Sequence, residues 1–242
     1  MRKIFAMCVV FAFLFVACGD DSSKGDSAKS SSSAKKASSV KMGTLKDSRD
    51  GRTYKTVTIG TQTWMAQNLN YETANSYCYS DTPSNCTKYG RLYTWAAAMD
   101  SAGTWNTNGK GCGYNKTCSP TYPVRGVCPT GWHLPTKAEF ETLITAVGGS
   151  STAETKLKSI SGWNDFEGKS GNGVDAYSFS ALPAGFRNNV EDYYYEGNGA
   201  YFWSSTEYNS YDAYYMALYY DFHYAYRDDY KNYGFSVRCV KD

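Results

Sequence analysis

Nothing in the 242-residue chain is long and apolar enough to cross a bilayer as a helix. The leading apolar stretch, residues 4–16, falls well short of the roughly 20 residues a span needs. Histidine is scarce: His133 and His223 stand alone, and no C-x-x-C pair occurs, so a zinc site is disfavoured. Neither sign of charge is in excess. The 25 basic and 23 acidic residues become 23 and 23 once Arg2 and Lys3 are set aside with the leader, so no basic face for nucleic acid is expected. Leucine is sparse, which disfavours a helical bundle and suits short strands and long loops. No Ser/His/Asp motif, phosphate loop or paired-carboxylate signature stands out. No catalytic residue, metal or cofactor is expected.

What is present begins with an export pattern. Met1-Arg-Lys is a positive start, residues 4–16 are the apolar core, and Phe15-Val-Ala-Cys18 closes it. This resembles a bacterial lipoprotein signal. The resemblance implies a signal peptide over 1–17, cleavage before Cys18, and a diacylglycerol on its sulfur. Gly19, where an inner-membrane retention signal has Asp, implies the outer membrane or cell surface. Residues 18–46 are rich in Ser, Lys, Asp and Ala and read as a flexible linker. Residues 47–242 suit one domain.

Eight cysteines become six after Cys8 and Cys18 are removed, an even number with fifteen possible pairings. Spacing suggests local loops Cys78–Cys86 and Cys112–Cys118, and a long closure Cys128–Cys239. Residues 53–59 and 63–69 read as a hairpin around Gly60, with Val57, Ile59, Trp64 and Leu69 as core. The Cys78–Cys86 loop reads as surface, 91–100 as a short helix, and 101–123 as a long loop. Thr136-Lys-Ala-Glu139 is a capping box, followed by Phe140, Leu143, Ile144 and Val147 at helical spacing and a stop at Gly148. A second helix is expected near 152–159. Phe179 to Phe186 reads as a buried strand or loop with a close backbone approach, and Phe202-Trp-Ser-Ser and Met216-Ala-Leu218 as strands. Phe235, Val237 and Cys239 alternate with Ser236 and Arg238, as in a half-buried last strand.

Four of these stretches together resemble the Fibrobacter succinogenes major paralogous domain family. They are Tyr54-Lys-Thr-Val-Thr-Ile-Gly-Thr-Gln-Thr-Trp-Met-Ala-Gln-Asn-Leu69, Cys128-Pro-Thr-Gly-Trp-His-Leu-Pro-Thr136, Trp203-Ser-Ser-Thr-Glu207 and Gly234-Phe-Ser-Val-Arg-Cys239. That family is similar to C-type-lectin-like folds, which implies an α+β domain of short strands, two or three helices and disulfide-stapled loops, with N- and C-terminal strands paired. Residues 133–141 also look like a helix start in formylglycine-generating enzymes. Those work through paired reactive cysteines near the C-terminus, whereas Cys239 stands alone there, so the likeness implies fold and not activity. Trp163-Asn-Asp165 is similar to a calcium-site tripeptide of sugar-binding C-type lectins, but no Glu-Pro-Asn or Gln-Pro-Asp partner exists.

Fourteen of the 23 tyrosines lie between 191 and 234. In 208–233 they sit among Asp, Asn, Ser and His, as in an antibody paratope, where Tyr offers contact area at little entropic cost. The candidate ligand-binding residues are Tyr215, Tyr219, Asp221, His223, Tyr226, Asp228 and Tyr230. Parity with Met216 and Leu218 sets Tyr215 and Tyr219 outward, and Tyr214 and Tyr220 toward core or rim. The mixture also resembles variable regions of diversity-generating retroelement targets. Together these features describe a lipid-anchored surface module whose partner is a polysaccharide or a surface protein. The alternatives are a structural envelope protein and an enzyme on a formylglycine-generating-enzyme-like scaffold.

Overall fold

The computed structural model describes residues 40–221 and 224–242. The leader, Cys18 and His223 lie outside the described residues. The fold is mixed α+β. In chain order the strands are β1 (Lys41–Lys46), β2 (Thr53–Ile59), β3 (Gln62–Met65), β4 (Ser76–Tyr77), β5 (Leu92–Tyr93), β6 (Trp132–His133), β7 (Ala184–Arg187), β8 (Tyr193–Glu196), β9 (Gly199–Glu207), β10 (Asp212–Tyr219), β11 (Tyr224–Tyr230), β12 (Phe235–Ser236) and β13 (Val240–Lys241). The helices are α1 (Pro83–Tyr89), α2 (Trp95–Ala98), α3 (Lys137–Ala146) and α4 (Ser150–Leu157).

One sheet has the order β1-β2-β3-β13-β6, so the C-terminal strand lies beside the N-terminal hairpin. The second runs β11-β10-β9-β12-β5-β4, and β7 joins β9 and carries β8. The β2–β3 hairpin forms where β-branched residues and Gly60 predict it, and Val57, Ile59, Trp64 and Leu69 are all buried. Gly60 turns the chain at φ +60°. β1 is a correction: it pairs with β2 along its length, inside the stretch read as linker. Of its residues Leu45 is buried, and the other five are exposed. Its order therefore comes from backbone pairing, which composition does not reveal.

The capping box is formed. Thr136 Oγ1 accepts from Glu139 N at 3.2 Å, and Glu139 Oε2 accepts from Thr136 N at 2.8 Å. Phe140, Leu143 and Ile144 of α3, with Val147, are buried against Trp64, Phe179 and Phe202. The Cys78–Cys86 segment is not an open loop. It holds a 3₁₀ turn, Tyr79–Asp81, and α1 starting on Pro83, and it buries Tyr79 and Cys86. In 91–100 only Trp95–Ala98 is helical, because Leu92 and Tyr93 pair with β12 and β4.

Among the described residues three disulfides occur: Cys78–Cys86, Cys112–Cys118 and Cys128–Cys239. The last spans 111 positions, with Cα atoms 5.9 Å apart. Closing so long a loop contributes roughly 4–5 kcal/mol in the chain-entropy account.

The last segment is also corrected. Residues 234–240 are buried on every side rather than on alternate residues. Arg238, expected outward, is fully buried. Its Nε donates to Asn68 Oδ1 at 2.8 Å, its Nη2 to Ser180 O at 2.8 Å, and its Nη1 to Phe179 O. Burial lowers its pKa to about 9. The guanidinium fork suits these acceptors, and the planar group lies over the Phe179 ring at 4.4 Å.

Two cores lie on opposite faces of the β9–β10 pair. Trp95, Tyr201, Trp203, Tyr215 and Phe235 belong to one; Trp64, Phe140, Phe179, Phe202, Met216 and Leu218 belong to the other. Alternation along each strand feeds both.

His133 joins the C-terminal strand to α3. Its Nδ1 lies 2.7 Å from Asp242 Oδ1 and its Nε2 2.8 Å from Glu139 Oε1. Burial disfavours the charged ring, but the two carboxylates outweigh it and raise its pKa above the ordinary 6.5. Burial likewise opposes charge on Glu139, yet His133 and Thr136 hold its pKa below the ordinary 4.5. A raised histidine pKa contributes stability that is full below the unfolded value and lost as pH rises through the folded one. The lowered Glu139 pKa contributes above about 4.5 and is lost as pH falls through the folded value. His133→Gln is therefore expected to cost about 1–3 kcal/mol near pH 6. Urea denaturation of both proteins should show the gap narrowing as pH rises through the raised His133 pKa; a gap independent of pH contradicts a charged imidazole.

Candidate functional site

β9, β10 and β11 carry most of the tyrosines, and register decides where each one faces. Trp203 lies opposite Tyr215 and Tyr201 opposite Ala217 on one face. Across the next pair Tyr215 lies opposite Arg227 and Ala213 opposite Asp229. The other face carries Phe202 against Met216, then Tyr226 and Asp228. The expected residues thus do not form one face.

Tyr215 is corrected from outward to core: it is 5% exposed and packs on Phe235 at 4.8 Å. Parity fails here because both faces of β10 are covered, so no outward side exists. Tyr219 is half-buried, and Tyr214 and Tyr220 are rim residues, also half-buried. Asp221 is half-buried, and with Glu154 it only partly offsets the burial that lowers the Lys158 pKa to about 8. Tyr226 packs half-buried on the α3 side. Asp228 and Tyr230 are exposed. Trp163, of the calcium-like tripeptide, is buried, with its indole N–H donating to Ser159 Oγ and Ala181 O at 3.1 Å each. Among the described residues no group of three His, Cys, Asp or Glu is placed to hold a metal.

Five of the exposed rings, Tyr114, Tyr194, Tyr195, Tyr211 and Tyr230, belong to a band anchored on the first core; Tyr122 and Tyr208 lie outside it. Phe186 is its hub. Tyr233 stacks on it at 5.7 Å and 9°, Tyr195 at 5.9 Å and 23°, and Tyr194 lies at 5.7 Å. Tyr201 meets Phe186 edge-on at 5.1 Å from below. From Tyr233 the band continues to Tyr230 at 5.7 Å, Tyr114 at 6.2 Å and Tyr211 at 5.4 Å. Tyr114, Tyr194, Tyr195, Tyr211 and Tyr230 are each more than 40% exposed. Such offset and edge-on contacts hold rings rigidly while leaving a face open.

Two buried cations hold the band in shape. Lys231 Nζ donates to Lys116 O at 3.0 Å, Ser210 O at 3.1 Å and the Glu207 carboxylate. It thereby pins the loops bearing Tyr114 and Tyr211 to the end of β11. Glu207 also accepts from Cys118 N at 3.0 Å. Arg187 exchanges both backbone bonds with Gly234, at 3.0 and 2.7 Å, which sets Phe186 beside Tyr233. Its guanidinium covers the Tyr77 ring at 3.9 Å. A Cβ on Gly185 would lie 2.2 Å from Tyr194 O, so β7 and β8 can approach only through glycine.

Below the crest, the Tyr219 ring meets that of Tyr201 edge-on at 5.6 Å, and Tyr201 packs on Tyr215 at 5.9 Å. Burial, with the neighbouring phenols, pushes the Tyr201 and Tyr215 hydroxyls far above the ordinary 10. They stay neutral hydrogen-bonding groups at any physiological pH. Burial also raises Asp229, reinforced by Asp212 and Asp228 against the Tyr230 N–H. The band is therefore rigid, aromatic and neutral at its base, with Arg227 at its edge, opposite Tyr215. It suits adhesion of a flat, hydroxylated or aromatic surface. Phe186, Tyr194, Tyr195, Tyr233, Tyr114 and Tyr211 were not singled out from sequence. The Tyr193–Tyr195 run was the available signal for two of them.

Residues 57–241 match the Fibrobacter succinogenes major domain, and the chain belongs to that family. No curated protein and no solved structure matches it.

Lys231→Met would leave the Glu207 carboxylate without its buried cation. A loss of about 3–5 kcal/mol in urea denaturation is expected. The Tyr114, Tyr211 and Tyr230 ring signals should lose dispersion in NMR spectra of the folded variant. Unchanged stability and spectra contradict the pinning role.

Proposed function

We propose that this family member is a binding module that recognises a polysaccharide through the exposed crest of the aromatic band. The observation that carries the reading is the run of exposed tyrosine rings, at 5–6 Å steps, fixed on a rigid hub at Phe186. Sugar rings present C–H faces that stack on tyrosine, and the phenol oxygens accept or donate to their hydroxyls. Because the base is packed before any ligand arrives, little ordering entropy opposes binding. A surface protein could use the same rings, which are the type enriched at protein interfaces.

On this reading the domain is C-type-lectin-like. The C-terminal strand beside the N-terminal hairpin and the long closure Cys128–Cys239 support that. The export pattern supports attachment through a lipid on Cys18 to the cell envelope, with the band presented to the exterior.

Polysaccharide arrays and insoluble-polymer pull-downs with the full chain in detergent test the proposal. Tyr194→Ala, Tyr195→Ala and Tyr230→Ala should each weaken binding by about 1–2 kcal/mol, roughly 5–30-fold, with little change in Tm. Tyr226→Ala, on the opposite face, should leave affinity unchanged. Full affinity in the triple Tyr194/Tyr195/Tyr230 variant contradicts the reading. Homotypic cross-links in intact cells without any glycan effect point instead to a structural envelope role.

A further inference from the structure

A cavity of about 400 Å³ opens between the start of β2, the turn after β3, and α1. None of its lining residues belongs to the aromatic band. Its volume is that of a small-ligand pocket. Arg52, Lys55 and Lys88 line it, and no carboxylate does.

The charge on this wall is poorly compensated. Arg52 Nε lies 3.3 Å from Asp50, and Lys88 Nζ lies 3.5 Å from Glu196, both in solvent-exposed pairs that are weak in water. Among the described residues no carboxylate lies within ion-pair distance of Lys55. Behind the floor sits Arg238. Asn68, which lines the cavity, accepts from Arg238 Nε, and the other guanidinium bonds go to two carbonyls rather than to a carboxylate. The cavity thus faces cations at its rim and one beneath its base, a potential that draws an anion.

The remaining wall is not that of a bare ion site. Gln67 and Thr87 are exposed amide and hydroxyl groups, and Tyr54 forms part of the lining. Gln67 Oε1 already accepts from Lys55 N at 2.7 Å, which leaves its amide N–H groups to donate. Gly90, at φ +78°, lets α1 close on Asn68: a Cβ there would lie 2.7 Å from Asn68 Cβ.

We propose that this cavity is a second binding site, for the carboxylate-bearing ring of an acidic sugar such as a hexuronic acid residue. The carboxylate meets Lys55, Lys88 and Arg52, and the ring hydroxyls meet Gln67 and Thr87. The site acts independently of the tyrosine band, so either can fail without the other.

Calorimetric and NMR titrations of the full chain with glucuronate, glucose and sulfate at matched ionic strength test it. Glucuronate is expected to bind saturably, to shift the Gln67 and Asn68 side-chain amides, and to weaken as salt rises. Lys55→Gln combined with Lys88→Gln, both at exposed positions, should lower glucuronate affinity about ten-fold or more. The triple Tyr194/Tyr195/Tyr230 alanine variant should bind glucuronate as the native chain does. Absent binding, equal binding of glucose, sulfate binding as tight as glucuronate, or an unaffected lysine variant would each overturn the assignment.

Discussion

β9 and β10 run between two cores, with Trp203, Tyr215 and Phe235 packed on one side and Phe202, Met216 and Leu218 on the other. This double coverage sets what the domain can display. Large rings are used as core filler on both faces, each burying area worth about 25 cal/mol per Å². Only loop tips, the β8 hairpin and the outer β11 strand remain to carry exposed tyrosine. The C-terminal segment passes through the same arrangement: Phe235 enters the first core and Val240 the second. Cys239 ties that segment to Cys128, so the last strand cannot peel away from β3 and β6 without opening a loop of over a hundred residues.

Buried polar groups then fix details that apolar packing leaves open. Arg238 measures the distance between Asn68 and the Phe179–Ser180 carbonyls. Lys231 does the same for two loop carbonyls and the Glu207 carboxylate beside Trp95, whose ring lies 4.7 Å from its ammonium. His133 bridges α3 to the chain end. Each is satisfied by groups distant in sequence, so each specifies one arrangement among the many that hydrophobic burial alone would tolerate. The tyrosine band inherits its rigidity from these anchors.

Local signals were readable wherever the physics is local. The capping box at Thr136, the hairpin around Gly60, the helix stop at Gly148 and the three cysteine pairings depend on spacing, and all stand in the structure. The misreadings arise where tertiary pairing or packing overrides the local pattern. β1 was hidden because its order comes from pairing with β2, not from apolar residues of its own. Tyr215 and Arg238 were set outward on a period-two rule that assumes a sheet with one wet face. Both lie where two cores meet, which composition does not announce. The candidate segment 208–233 still contributes Tyr211, Tyr230 and Tyr233 to the band. Its partners Phe186, Tyr194, Tyr195 and Tyr114 come from elsewhere in the chain, and only tertiary packing assembles them.

The division between buried base and exposed crest is open to direct measurement by hydroxyl-radical footprinting with mass spectrometry, on the full chain with and without a bound polysaccharide. Tyr194, Tyr195 and Tyr230 should oxidise readily in the free protein and become protected on binding, while Tyr201 and Tyr215 stay unreactive in both. Oxidation of Tyr215 at the rate of Tyr230, or an unprotected crest in the complex, would contradict the account.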